Sequence, residues 1–320
     1  MSPAPRSDAS PAPAVDLRRP LTVPPPAYLC AGRVVECDAS LPLQMAPDSG
    51  ENVVRVSMVR SDLSSLDAFG TTLYDADAQL GNLRARVVCR CGPSGTLLEI
   101  EGAGRFLVSA DGRRVDFCPK ETTTSRDLQT ALLGPVLALA LARVGVVLVH
   151  ASGTAGNGGT SLFLGDSGSG KSTLARYLSE TSGQSIRRVS DDIVPVALGP
   201  DGPSVLPHYP QLKLPPEHQW AAADPPSLAW ARAYFLDEGP KIEVRRLLPH
   251  AAVAMLLRHV VALPLFDADL RQRVVEQCAA FASQVPMAVL SYPRRLEALP
   301  DVVRALEWGP GRGMSAPGRK

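Results

Sequence analysis

The chain has 320 residues, of which 45% are hydrophobic and 20% charged, and 33 Lys plus Arg face 32 Asp plus Glu for a formal net charge of +1. That length accommodates about two domains at ~150 residues each. Near-neutral charge and an aromatic content of 5% argue against a nucleic-acid partner, which calls for a basic excess and stacking surfaces.

Eight of the 30 prolines fall within the first 26 residues, so 1–27 reads as an extended, Pro-rich disordered tail with little to bury. The segment 309–320 (GPGRGMSAPGRK) reads the same way. The N-terminal stretch has no apolar central run, so no secretory signal is expected. The six cysteines, at 30, 37, 89, 91, 118 and 278, form no C-x-x-C pair. Reduced thiols in a cytoplasmic protein are the expectation.

Residues 28–122 read as a β-rich N-terminal domain. Short apolar runs at Val53–Met58, Ala85–Cys91, Leu97–Ile100, Arg105–Ser109 and Arg114–Cys118 are separated by turn signals. Asp111-Gly112 suits a tight hairpin turn. No catalytic motif stands out in this stretch.

The pattern changes at Ser125. Residues 131–149 (ALLGPVLALALARVGVVLV) approach the length of a membrane span, but Gly134, Pro135 and Gly145 interrupt them. A buried helix to Arg143 and a buried strand over Val146–Ser152 are expected instead, with no membrane partner. A second strand, Thr160–Leu164, runs into a glycine-rich loop and a helix from Ser172 to about Glu180. A short strand near Ile186–Ser190 is expected to end at Asp191-Asp192. A hairpin follows, Ile193–Leu198 with Val205–Leu214, turning at Gly199-Pro200-Asp201-Gly202. Later helices are expected at Leu248–Leu263, Asp269–Ser283 and Pro300–Trp308, with a strand at Met287–Tyr292.

Residues 165–172 read GDSGSGKS and fit G-x-x-x-x-G-K-[ST] between a strand and a helix. Gly165, Gly168 and Gly170 allow the backbone to turn N–H groups onto an anion. Asp166, Ser167, Ser169 and Thr173 complete the lining. The following helix N-terminus adds partial positive charge. Lys171 reaches β- and γ-phosphates and Ser172 ligates Mg²⁺. ATP and Mg²⁺ are the expected cofactors. No N-K-x-D motif marks a GTPase, no distant L-S-G-G-Q marks an ABC ATPase, and no long apolar strand ends in Asp-Glu as in a RecA-like motor.

Asp191 and Asp192 follow Lys171 by 20 and 21 residues. Adjacent residues on a strand face opposite ways, so one carboxylate serves the metal and the other an acceptor hydroxyl. Phosphoryl transfer needs a metal, a cationic clamp and such a carboxylate. His150 ends the strand beside the one that feeds the loop, where strand ends open toward phosphates in a parallel α/β sheet. Lys213, Lys241 and Arg245 are candidate cationic clamps.

The combination VLVHASG…SLFLGDSGSGKSTLARYL…VSDDIV resembles the HPr kinase/phosphorylase family, whose fold is related to phosphoenolpyruvate carboxykinase. The resemblance covers about 130–215 and includes YPQLKL at 209–214. It implies an α/β fold, with a P-loop kinase domain of the HPr kinase/phosphoenolpyruvate carboxykinase type over 123–308 behind the β-rich domain. It implies ATP at Gly165–Ser172, Mg²⁺ at Ser172 and Asp191, and a catalytic set of His150, Lys171, Asp191 and Asp192, with Asp192 the better candidate for the base. The implied reaction phosphorylates a serine on a protein or peptide, and some relatives act on precursor peptides. A kinase for a small hydroxylated metabolite and a nucleotide-binding regulator or ATPase without an acceptor stay open, as does homo-oligomerisation.

Overall fold

A computed structural model describes residues 24–46, 55–66, 69–81, 83–181, 185–210, 214 and 224–306. Eight strands come first: β1 (Ala27–Cys30), β2 (Arg33–Cys37), β3 (Arg55–Arg60), β4 (Thr71–Leu80), β5 (Leu83–Gly92), β6 (Gly95–Ile100), β7 (Gly104–Ser109) and β8 (Arg114–Pro119). They make one sheet in the order β1-β2-β3-β8-β7-β6-β5-β4. The β2–β3 and β3–β8 pairs are parallel and the remaining pairs antiparallel. In β5 the alternation is plain: Ala85, Val87 and Cys89 are buried while Arg84 and Arg86 face water. The β7–β8 turn forms at Asp111-Gly112 as its chemistry requires. Asp111 Oδ1 accepts from Ser109 Oγ and from the Arg113 N–H, and Gly112 has φ +73°.

The expected helix to Arg143 is broken in two. Helix α1 (Ser125–Ala131) is capped by Thr124, whose hydroxyl accepts from the Asp127 N–H. A wide turn follows at Leu132–Val136, where Gly134 leaves helical geometry and Pro135 has no N–H to give. Helix α2 (Leu137–Arg143) then resumes. Its residues Leu137 to Ala142 are all buried, and a helix apolar all round belongs inside a core. The strong hydropathy of 131–149 thus reflects burial in protein. Among the described residues no helix is long and apolar enough to cross a membrane.

A second sheet follows. Its members are β9 (Val146–Gly156), β10 (Gly159–Leu164), β11 (Arg187–Gly199), β12 (Gly202–Val205), β13 (Leu228–Glu238), β14 (Glu243–Arg246) and β15 (Met287–Tyr292). Helix α3 (Lys171–Thr181) lies between β10 and β11 in sequence, α4 (Pro249–Leu257) and α5 (Ala268–Gln284) precede β15, and α6 (Leu299–Ala305) ends the described chain. The order is β10-β9-β11-β12-β13-β15-β14, and an added β10–β13 pairing closes the first five strands into a small barrel. Strands β10, β13 and β15 run parallel; β9 and β11 are antiparallel to their neighbours. The fold is mixed α/β with large sheets.

Two hydrophobic cores flank this second sheet. One joins it to the first sheet through α2, from Val87 and Phe106 to Leu137, Leu164 and Phe235. The other packs α3 and α6 against β10, β13 and β15 through Phe163, Leu174, Leu178, Leu290 and Val302. Phe163 and Leu164, adjacent in β10, belong to opposite cores. The glycine-rich loop therefore leaves the sheet from an anchor fixed on both faces.

The structure revises three further sequence expectations. The Asp pair lies inside the single strand β11, not at a strand end. His150 likewise lies inside β9. Of the expected strand Val205–Leu214, only Val205 lies in a strand among the described residues, at the end of β12, and 211–213 lie outside them.

Candidate active site

Strand β10 delivers the chain to Gly165. Gly165, Gly168 and Gly170 all have positive φ, at +151°, +80° and +91°. A Cβ on Gly165 would sit 2.6 Å from Ser169 Oγ, and one on Gly170 would sit 2.8 Å from Tyr292 Oη. Glycine is thus required there by close approach as well as by φ. The loop closes through the Ser169 N–H donating to the Asp166 carbonyl at 3.1 Å, and α3 begins at Lys171. Asp166, Ser167 and Gly168 are exposed. Lys171 Nζ donates to the carbonyls of Gly165 and Asp166 at 2.7 and 2.8 Å. The ammonium therefore sits at the loop's entrance, beside the N-terminus of an 11-residue helix. Ser172 is exposed and Thr173 half-buried on the first turn. Ser169 Oγ is buried and accepts or donates no hydrogen bond among the described residues. Loop amides, a helix end and an ammonium are groups of the kind that can hold an anion.

The acidic pair is brought to the loop across β9. Cross-strand register aligns Phe163, Ser152 and Asp191 on one rung, and Leu164, Ala151 and Asp192 on the next. Ser152 Oγ donates to Asp191 Oδ1 at 2.8 Å and lies 3.5 Å from Ser172 Oγ. Asp191 is 5% exposed. The carboxylate is thus linked through one hydroxyl to the first turn of α3. Ser172 and Asp191 offer hard oxygen donors of the kind Mg²⁺ takes one or two at a time. Among the described residues no three His, Cys, Asp or Glu side chains surround a common metal position.

Asp192 differs from its neighbour. It is exposed, with φ +151°, a value that suits glycine. The Ser190 hydroxyl donates to the Ile193 carbonyl at 2.8 Å. A straight strand separates residues i and i+3 by about 10 Å. Strand β11 therefore bends sharply at the Asp pair, and the bend turns Asp192 outward. The charged run before it is accommodated locally. Arg187 pairs with Asp224 at 3.0 Å, and Arg188 is buried on the rung of Thr154.

His150 is exposed, one residue beyond the Ala151–Leu164 rung. It thus stands level with the start of the loop. It does so because β9 is antiparallel to β10 and overshoots it, whereas a parallel strand end was expected. Of the proposed clamps, Lys213 lies outside the described residues. Lys241 pairs with Glu243 at 3.4 Å on the surface, and Arg245 is exposed on β14.

Sequence reasoning missed three neighbours of the loop. Ser152 carries no motif, and only the strand register reveals its link to Asp191. Tyr292 backs Gly170 from the end of β15. His259 follows α4, and its backbone carbonyl accepts from the His150 N–H at 2.8 Å. Its ring stacks on Phe235 with centroids 5.9 Å apart.

No family model and no curated protein matches the chain. Among solved structures, one of the Hpr(Ser) kinase/phosphatase from Coxiella burnetii aligns with 50% of this chain and 95% of that one, at 10% identity and a TM-score of 0.25.

Proposed function

We propose that the chain is an ATP- and Mg²⁺-dependent phosphotransferase that moves the γ-phosphoryl group to a serine-type hydroxyl on a protein or peptide. The observation that carries this reading is the Asp191–Ser152–Ser172 hydroxyl chain. It joins a buried carboxylate to the first turn of a helix that opens on a glycine-rich loop. A structural glycine turn needs no such carboxylate, and phosphoryl transfer needs one for its metal.

The loop's own features fit a triphosphate. Three positive-φ glycines shape it, Lys171 stands at its entrance, and the buried Ser169 hydroxyl awaits a partner among the described residues. Ser172 and Asp191 would hold Mg²⁺. When bound, the ion neutralises charge on the phosphate oxygens. Lys171 donates to the β- and γ-phosphates and spreads the charge that develops on transfer. Asp192, exposed at the bend of β11, accepts the proton of the incoming hydroxyl as its oxygen bonds to the γ-phosphorus. The bond from that phosphorus to the β–γ bridging oxygen breaks, and ADP leaves. His150, level with the loop, contributes a polar contact on the same side.

The test is incubation of the chain with γ-labelled ATP, Mg²⁺ and candidate acceptor peptides, with mass spectrometry of the product. Label on a serine is expected, and Lys171→Ala and Asp192→Asn should each abolish it. Label on a small hydroxylated metabolite would move the acceptor class. ATP hydrolysis untouched by Asp192→Asn would remove the kinase reading.

A further inference from the structure

The edge of β9 that pairs with β10 is used twice. Residues Ala151 to Gly156 pair with β10, up to the Leu164 rung. Beyond that rung the loop leaves the sheet, and residues 259–261 take over the same strand. The His150 N–H donates to the His259 carbonyl, Val149 bridges Val260, and the Val261 N–H donates to the Leu148 carbonyl. His259 therefore stands next in line after Leu164, beside the point where Gly165 turns away.

The ring is held there. Phe235 pairs with Leu164 in the parallel β10–β13 register, and its side chain carries the stacked His259 imidazole at an interplanar angle of 28°. Phe235 is 2% exposed, so this platform is fixed in the core. The groups whose charges reach the His259 ring are Asp166, Lys171, His150 and Arg258. Asp166 and Lys171 belong to the loop's entrance, the part of such a loop that meets the β- and γ-phosphates. Burial lowers the His259 pKa from its ordinary value, with Asp166 opposing and Lys171 reinforcing the shift. At neutral pH the ring is thus a neutral imidazole with one N–H to donate.

We propose that His259 is a binding residue for the terminal phosphate of the nucleotide, donating a ring N–H from the opposite side of the loop to α3. The proposal rests on the nucleotide reading above and extends it. Lys171, the loop amides and the helix end supply the charge. His259 supplies a donor whose ring plane is set by Phe235, so little rotamer freedom is lost on binding. Its position at the loop entrance makes it a sensor of the γ-phosphate, favouring triphosphate over diphosphate.

The experiment is calorimetric titration of the full chain with AMP-PNP, ADP and AMP, each with Mg²⁺. His259→Ala should weaken AMP-PNP binding about tenfold, as loss of one charge-assisted hydrogen bond does, and leave AMP unchanged. His259→Asn, which keeps a donor, should recover part of the loss. Diethyl pyrocarbonate labelling of wild-type His259, read by peptide mass spectrometry, gives a measure independent of any variant's folding. AMP-PNP should slow that labelling and AMP should not. Unchanged AMP-PNP affinity in His259→Ala, with binding lost in Lys171→Ala, overturns the proposal and leaves the nucleotide reading standing. A wild-type chain that binds none of the three nucleotides overturns both.

Discussion

The Ser152 hydroxyl donates to Asp191 Oδ1 over 2.8 Å and lies 3.5 Å from Ser172 Oγ, so one small side chain spans the space between the β11 carboxylate and the helix that follows the loop. Ser152 is fully buried and Asp191 nearly so. Ser152→Ala should therefore leave a buried carboxylate short of a donor, costing about 1–3 kcal/mol, which denaturant unfolding would measure. If Asp191 and Ser172 share a cation, the same variant should also raise the Mg²⁺ concentration needed for half-maximal activity. Stability lost with an unchanged Mg²⁺ requirement would make Ser152 a packing residue alone.

The glycine-rich loop was legible in the sequence because its signal is local: strand, spaced glycines, Lys-Ser, helix. The strands with buried alternation, such as β5 and β7, were legible for the same reason. Strand β4 was not, since none of its ten residues is buried and it is held by its pairing with β5. Strand β13 was missed although Trp230 and Ala233 to Leu236 are buried. Its continuous apolar run carries no period-two signal. The antiparallel course of β9 set the positions of His150 and His259, and pairing direction is a long-range property. Ser152 and His259 become site residues only once three separate segments meet on β9.

Gly170 tests how tightly the loop is built. Its φ of +91° and the 2.8 Å approach of Tyr292 Oη both oppose a side chain. Gly170→Ala should cost on the order of 1–3 kcal/mol from backbone strain, with the clash added. Pairing it with Tyr292→Phe removes the offending oxygen and should recover the clash but not the strain. Thermal midpoints of the two single variants and the double variant separate the two contributions. Full recovery in the double variant would show that φ costs nothing here.

Arg143 and Asp267 tie α2 and α5 to the first sheet, and their pairing sets an acid limit. Arg143 Nη2 meets Asp267 Oδ2 at 2.6 Å and Thr96 Oγ1 at 2.7 Å, while Asp267 Oδ1 caps α5 by accepting from the Leu270 N–H. Burial alone would raise the Asp267 pKa. The Leu270 N–H and the Arg143 charge outweigh it and hold the carboxyl below its ordinary value. A depressed folded-state pKa contributes stability above the unfolded value near ~3.9, lost as pH falls through the folded one. Asp267→Asn keeps a cap but orphans Arg143, and should cost roughly 3 kcal/mol at pH 7. The gap to wild type should narrow below about pH 4. A gap of constant size from pH 7 to pH 3 would contradict this assignment.

Thiol reactivity follows burial. Burial pushes the thiols of Cys30, Cys37, Cys89 and Cys278 up to about 12. Thiolate is the reactive form, so these four should resist alkylation in the folded chain at pH 8. Cys91 and Cys118 are half-buried and should be modified first. Peptide mass spectrometry after brief iodoacetamide treatment reads the order directly. Early modification of any of the four buried thiols would point to local opening of the core.

Asp192 sets stability against activity. Its φ of +151° suits glycine, and strain of this kind costs on the order of 1–3 kcal/mol. Strained non-glycine residues gather where function needs a particular side chain. Asp192→Gly should relieve the strain, partly offset by the greater freedom glycine gives the unfolded chain, for a net gain of about 1 kcal/mol. Asp192→Asn keeps the strain and should leave stability near wild type. Both remove the carboxylate and should abolish phosphoryl transfer. A glycine variant that is more stable yet inactive would show strain retained for the carboxylate's sake. A glycine variant that keeps transfer would take the base role away from Asp192 and leave the bend in β11 as a feature of the fold.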